Sequence, residues 1–113
     1  MIEASCHCGA VKFTVETAPD EVTDCNCSIC RRYGTLWAYY EAPQVRFEAE
    51  NGPTDIYMWR YRMLEFHRCR ACGCITHWAA ADRSFTRMGV NARLMPPEVL
   101  AATPISHFDG AAT

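Results

Sequence analysis

Eight cysteines gathered into three short groups constrain this chain more than any other feature of its sequence. They stand as Cys6-His7-Cys8, as Cys25-Asn26-Cys27-Ser28-Ile29-Cys30 and as Cys69-Arg70-Ala71-Cys72-Gly73-Cys74. Eight in 113 residues approaches the density of a secreted disulfide scaffold. The opening residues Met1-Ile2-Glu3-Ala4-Ser5 hold no basic stretch leading into an apolar one. No secretory leader is therefore expected, and the expected location is the cytoplasm. In that reducing setting clustered cysteines bind metal more often than they pair with one another.

A structural zinc wants four soft ligands in a tetrahedron, usually from two short knuckles far apart in the chain. Cys69-x-x-Cys72-Gly73 makes a good knuckle, because glycine can take the positive φ that turns backbone amides toward sulfur. Cys6 and Cys8 supply a second pair. Two plus two gives a closed four-thiolate site from Cys6, Cys8, Cys69 and Cys72, tying the start of the chain to its middle. Cys25, Cys27 and Cys30 are left as a second site with one open position, the pattern of catalytic zinc. On spacing alone two alternatives stay open behind that reading: a structural zinc, with Cys74 or a histidine in the fourth position, or three free thiols.

The rest of the sequence limits the context. The 113 residues suit a single domain, 1–113, with half its residues apolar and about a fifth charged, so a packed core is expected. No apolar run approaches the ~20 residues of a membrane helix. The net charge is -2. Seven thiolates around two zinc ions would take it to about -5, which argues against a nucleic-acid partner. The patterning is mainly β. Strands are expected at residues 11–15, 36–40, 45–49, 54–61, 64–67, 75–80 and 85–90, with Ile56, Met58 and Arg60 on one face of the fourth and Tyr57, Trp59 and Tyr61 on the other. Turns are expected at Ala18-Pro19-Asp20 and Asn51-Gly52-Pro53. Helix is limited to one turn within residues 27–33 and to a short stretch from Pro97.

With their flanking residues, the cysteine groups resemble the glutathione-dependent formaldehyde-activating (GFA) family, also called the CENP-V/GFA domain. Cys6-His7-Cys8-Gly9-Ala10-Val11-Lys12-Phe13 is similar to its opening motif, and Cys25-Asn26-Cys27-Ser28-Ile29-Cys30-Arg31-Arg32 to its central one. Phe66-His67-Arg68-Cys69-Arg70-Ala71-Cys72-Gly73 is similar to its knuckle. Gly89-Val90-Asn91-Ala92-Arg93 and Phe108-Asp109-Gly110 are similar to its C-terminal signatures. Ser5 and Cys74 depart from the usual glycine and the usual threonine or serine. The resemblance implies an Mss4-like fold of stacked antiparallel sheets with two zinc ions per chain. It implies Cys6, Cys8, Cys69 and Cys72 as structural ligands and Cys25, Cys27 and Cys30 as catalytic ones. It also implies a carbon–sulfur lyase that forms or cleaves a thiol–aldehyde adduct such as S-hydroxymethylglutathione.

An open zinc at Cys25, Cys27 and Cys30 would hold an incoming thiol as its thiolate beside an aldehyde. The expected partners are thus a small-molecule thiol, glutathione by the resemblance, and an aldehyde, with no nucleic acid and no membrane. Arg31 and Arg32, directly after Cys30, are the candidates to offset the charge and bind substrate. Arg60, Arg62, Arg68, Arg70 and Arg93 suit carboxylates, although a compositional bias toward arginine explains them as well. His67 and His77 read first as packed or surface residues and second as a general base. Two other functions compete with the lyase: a non-catalytic zinc-stabilised binding module, and a thiol redox protein using Cys74.

Overall fold

Where apolar and polar residues alternate, one face of a strand is buried. In Lys12-Phe13-Thr14-Val15 the buried residues are Phe13 and Val15. The computed structural model describes residues 1–48 and 53–112. Along the chain run β1 (Ile2–Ser5), β2 (Lys12–Val15), β3 (Val22–Cys25), α1 (Cys30–Tyr33), β4 (Trp37–Glu41), β5 (Val45–Phe47) and β6 (Thr54–Trp59). Then come β7 (Leu64–Cys69), β8 (Ile75–Ala80), β9 (Arg87–Asn91), α2 (Pro97–Ala101) and β10 (Ile105–Phe108). A three-stranded sheet has the order β1-β2-β5, and a seven-stranded sheet the order β10-β3-β4-β9-β8-β7-β6. The fold is the expected mainly β arrangement of stacked sheets, with one departure from the antiparallel rule: β10 runs parallel to β3.

Several expectations shift. The strand expected at 85–90 begins at Arg87, leaving Phe85 exposed in a loop. The strand expected at 45–49 is seen as Val45–Phe47, and Ala49 lies outside the described residues, as do Asn51 and Gly52 of the expected turn. The alternation read through Tyr61 ends at Trp59. Arg60, Tyr61 and Arg62 turn instead through left-handed backbone, with φ of 54°, 53° and 62°. For residues with a Cβ each such conformation costs roughly 1–2 kcal/mol, so the hairpin tip between β6 and β7 is strained. Because β6 is a sheet edge, both its faces stay partly open, and Ile56 and Tyr57 are each about half exposed. The strands β1, β3 and β10 were not expected from the pattern.

The seven-stranded sheet is packed on both faces. On β4, Ala38 and Tyr40 point into the core shared with the three-stranded sheet, beside Phe13, Val15, Met88 and Val90. Trp37 points the other way, into a second cluster with Phe66 and the cysteines Cys25, Cys27 and Cys30. A third, small cluster joins Cys6, Val11 and Cys69. His67 and His77 face each other across β7 and β8 and stack with ring centroids 4.1 Å apart. Phe47 of the smaller sheet packs on His77 at 4.4 Å. Both histidines are therefore buried between the sheets, on the opposite face from Phe66 and the Cys25 cluster. That is the packed role rather than the general base.

Candidate metal centres and the adjoining recess

Cys6 and Cys8 sit in a tight turn leaving β1, where the Gly9 N–H donates to the Cys6 carbonyl at 3.2 Å. Cys69 ends β7, and the chain folds back so that the Gly73 N–H reaches the Cys69 carbonyl at 2.9 Å. Gly73 holds φ of 81°, the left-handed turn expected of the knuckle. The sulfurs of Cys6 and Cys8 are 3.7 Å apart, and those of Cys8 and Cys69 are 3.6 Å apart. All four sulfurs of Cys6, Cys8, Cys69 and Cys72 lie within 4.8 Å of one another. A tetrahedron with zinc–sulfur bonds of about 2.3 Å has an edge of about 3.8 Å, so the set fits. Backbone amides point at the sulfurs: Val11 N–H to Cys6 at 3.3 Å and Cys72 N–H to Cys69 at 3.5 Å. The amides of Cys74 and Cys8 pull the Cys72 thiol down to about 5, favouring the thiolate that a metal needs.

Cys25 ends β3, and Cys30 opens the single turn α1. Their sulfurs and that of Cys27 also lie within 4.8 Å of one another, and all three residues are buried. The Cys30 N–H donates to the Cys27 sulfur at 3.4 Å. The indole N–H of Trp37 donates to the Cys30 sulfur at 3.3 Å. Burial pushes the Cys25 and Cys30 thiols up. Burial acts on Cys27 too, but the surrounding donors outweigh it and its thiol is lowered. Three buried sulfurs facing amide and indole donors are a donor set that could hold a soft cation.

Cys27 lies at the edge of a recess of about 600 Å³. Asn26, Ser28, Arg31, Trp59, Arg60 and Tyr61 supply its polar and aromatic lining, so the strained hairpin tip borders the same recess as Cys27. The Arg60 guanidinium lies over the Trp59 ring, 4.9 Å from its centre. Of the two arginines expected to act together, only Arg31 lines this recess. Arg32 donates to the Ser28 carbonyl at 2.8 Å and lines a neighbouring recess of about 450 Å³ with Arg68. Arg70 is paired with Asp55 at 3.1 Å, and Arg93 donates to the Gly34 carbonyl at 2.8 Å. A larger recess of about 740 Å³ beside Met95 and the three-stranded sheet contains neither cysteine nor histidine. Cys74 belongs to neither sulfur set.

From the sequence Trp37 and Trp59 read as core or cleft-lining aromatics, with an aromatic wall near the second sulfur set as one option, and Trp59 lines the recess there. Nothing in the sequence marked Trp37 as a sulfur donor. Both placements depend on strand register. The Arg60 and Tyr61 contribution depends on a backbone turn that non-glycine residues rarely make.

Fold and sites together define a mainly β domain with two cysteine sets compatible with zinc. The family model described as "Glutathione-dependent formaldehyde-activating enzyme" matches residues 1–105. The chain belongs to that family. It is also similar to a Rhodobacter sphaeroides protein of known crystal structure, at 32% identity and a TM-score of 0.72, over 93% of this chain and 100% of that one. Among the described residues no helix is long and apolar enough to cross a membrane.

Proposed function

We propose that the chain is a zinc-dependent carbon–sulfur lyase, forming or cleaving a thiol–aldehyde adduct at Cys25, Cys27 and Cys30. The observation that carries this reading is the contrast between the two sulfur sets. One has four sulfurs, the other three with a recess of about 600 Å³ alongside. Zinc bound by the three thiolates would supply the charge that keeps an incoming thiol deprotonated. In the adduct-forming direction the substrate sulfur bonds to the aldehyde carbon, and the carbonyl oxygen gains a proton. The thiol's own proton leaves on binding.

The chain's residues orient and shield that event. Arg31 and Arg60 bring two positive charges to the recess and suit a thiol carrying carboxylates, glutathione being the family's own. Trp59 supplies an aromatic wall to the recess, against which a substrate can be oriented. Trp37 holds the Cys30 sulfur in place. The proposed setting is the cytoplasm, where reducing conditions keep the seven thiols available.

Hydroxymethyl transfer between glutathione and formaldehyde proceeds without a catalyst, so the test is an exchange rate. Carbon-13-labelled formaldehyde and glutathione are followed by exchange NMR with and without the zinc-loaded protein. The expected result is faster exchange with wild type and background exchange with Cys27→Ser, which stays folded and holds one zinc fewer. Background exchange with fully zinc-loaded wild type would refute the lyase reading.

A further inference from the structure

The strand β10 adds little to the core, since its Ile105 and Phe108 are both about half exposed. It pairs in parallel with β3 in a register that sets Phe108 beside Cys25. Beyond it the chain is pinned by one side chain, Asn26, which sits between two of the three sulfur residues. The Asn26 side-chain amide donates to the Asp109 carboxylate at 3.0 Å. The same side chain's oxygen accepts from the Ala111 N–H at 3.0 Å. The Asn26 backbone N–H donates to the Phe108 carbonyl at 3.2 Å. Three bonds from one residue thus fasten residues 108–111 over the cysteine set.

The residue so delivered is Gly110, which is buried. Its backbone is not in the left-handed region, so glycine is there for space rather than for conformation. A Cβ at this position would stand 2.6 Å from the Cys25 sulfur and 3.0 Å from Cys27 Cβ. Carbon and sulfur cannot approach to 2.6 Å, so either the strap or the sulfur would have to move. Gly110 and Ala111 also line the recess at Cys27.

We infer that residues 105–111 are a positioning strap for the three-sulfur centre, with Gly110 fixing where the Cys25 sulfur can sit and Asn26 holding the strap in place. The inference rests on the reading of Cys25, Cys27 and Cys30 as a metal centre. Outer partners of metal ligands typically change affinity by about 10–100-fold when removed, and a displaced ligand belongs at the upper end of that range.

The test is titration of the metal-free full chain with cobalt(II), read by thiolate-to-cobalt absorption and followed by thermal unfolding. Wild type should take up two cobalt ions. Gly110→Ala should keep the first and weaken the second by about a hundredfold, with the second site's absorption bands shifted. Asp109→Ala adds no volume and removes one fastening, so it should weaken the second cobalt several-fold while melting like wild type. A Gly110→Ala protein that binds the second cobalt as tightly as wild type, with the same spectrum, overturns the strap and leaves the metal centre standing. A wild type that takes up a single cobalt removes the metal centre and the strap with it. If Gly110→Ala fails to fold, Asp109→Ala decides: unchanged second-site affinity there overturns the inference.

Discussion

Acid should destabilise this domain through His77, and the size of the effect follows from where the ring lies. His77 is buried between the two sheets, stacked on His67 and covered by Phe47. Its Nδ1 meets the Thr76 hydroxyl at 2.8 Å. Removal from water, with a smaller contribution from the neighbouring His67, pushes its pKa down to about 3 from an ordinary 6.5. The folded chain therefore holds a neutral ring at pH values where the unfolded chain holds a proton. Stability from this source is complete above pH 6.5 and falls as pH drops from 6.5 toward 3. The slope is one proton, about 1.4 kcal/mol per pH unit, so lowering the pH from 7.5 to 5.0 should cost about 2 kcal/mol. His67, lowered mainly by burial and raised by Glu65 at 3.5 Å, adds to the loss in the same direction.

The perturbation that isolates the effect is His77→Gln, which removes the titrating ring and keeps a hydrogen-bonding group for Thr76. Urea unfolding of zinc-loaded wild type and variant at pH 7.5 and 5.0 gives four stabilities. Acid weakening of the metal sites affects both proteins and cancels in the comparison. Wild type should lose about 2 kcal/mol more than the variant, a midpoint difference of about 1–2 M urea at ordinary slopes. Equal losses in the two proteins would refute the assignment of a neutral buried ring.

Two further outcomes follow from the sulfur sets. Cys69→Ser should leave the protein largely unfolded at 25 °C by circular dichroism, because the metal at a four-cysteine set contributes of order 10 kcal/mol to folding. Trp37→Phe removes the indole donor 3.3 Å from the Cys30 sulfur and should weaken the second metal about tenfold in a competition titration, leaving the first unchanged.

What could be read in advance depended on how local the cause was. The sulfur sets were legible because knuckles are made of near neighbours, and two separate pairs add up to one tetrahedron. Strands such as β2, β4 and β8 were legible because one buried face writes an alternation into the chain. The strand β3 was hidden, since Val22-Thr23-Asp24-Cys25 is short and runs straight into the cysteine motif. Arg31 and Arg32 looked equivalent on paper, but neighbours on a helical turn diverge by about 100°, so they face different recesses. The turn at Arg60, Tyr61 and Arg62 left no mark at all, because its backbone is one that none of these side chains prefers.

The closed sulfur set brings together Cys8 and Cys69, which are 61 positions apart. Closing a loop of that length costs about 3.6 kcal/mol of chain entropy. The three-sulfur set, by contrast, spans only residues 25–30. One centre can thus assemble on a short stretch of chain, while the other has no existence until β1 and β7 have met. The ring that the four sulfurs close encircles every residue of the second set. A metal taken up by the three-sulfur set would therefore mark a local event in the life of the chain, and one taken up by the four-sulfur set would record that two distant strands have come together.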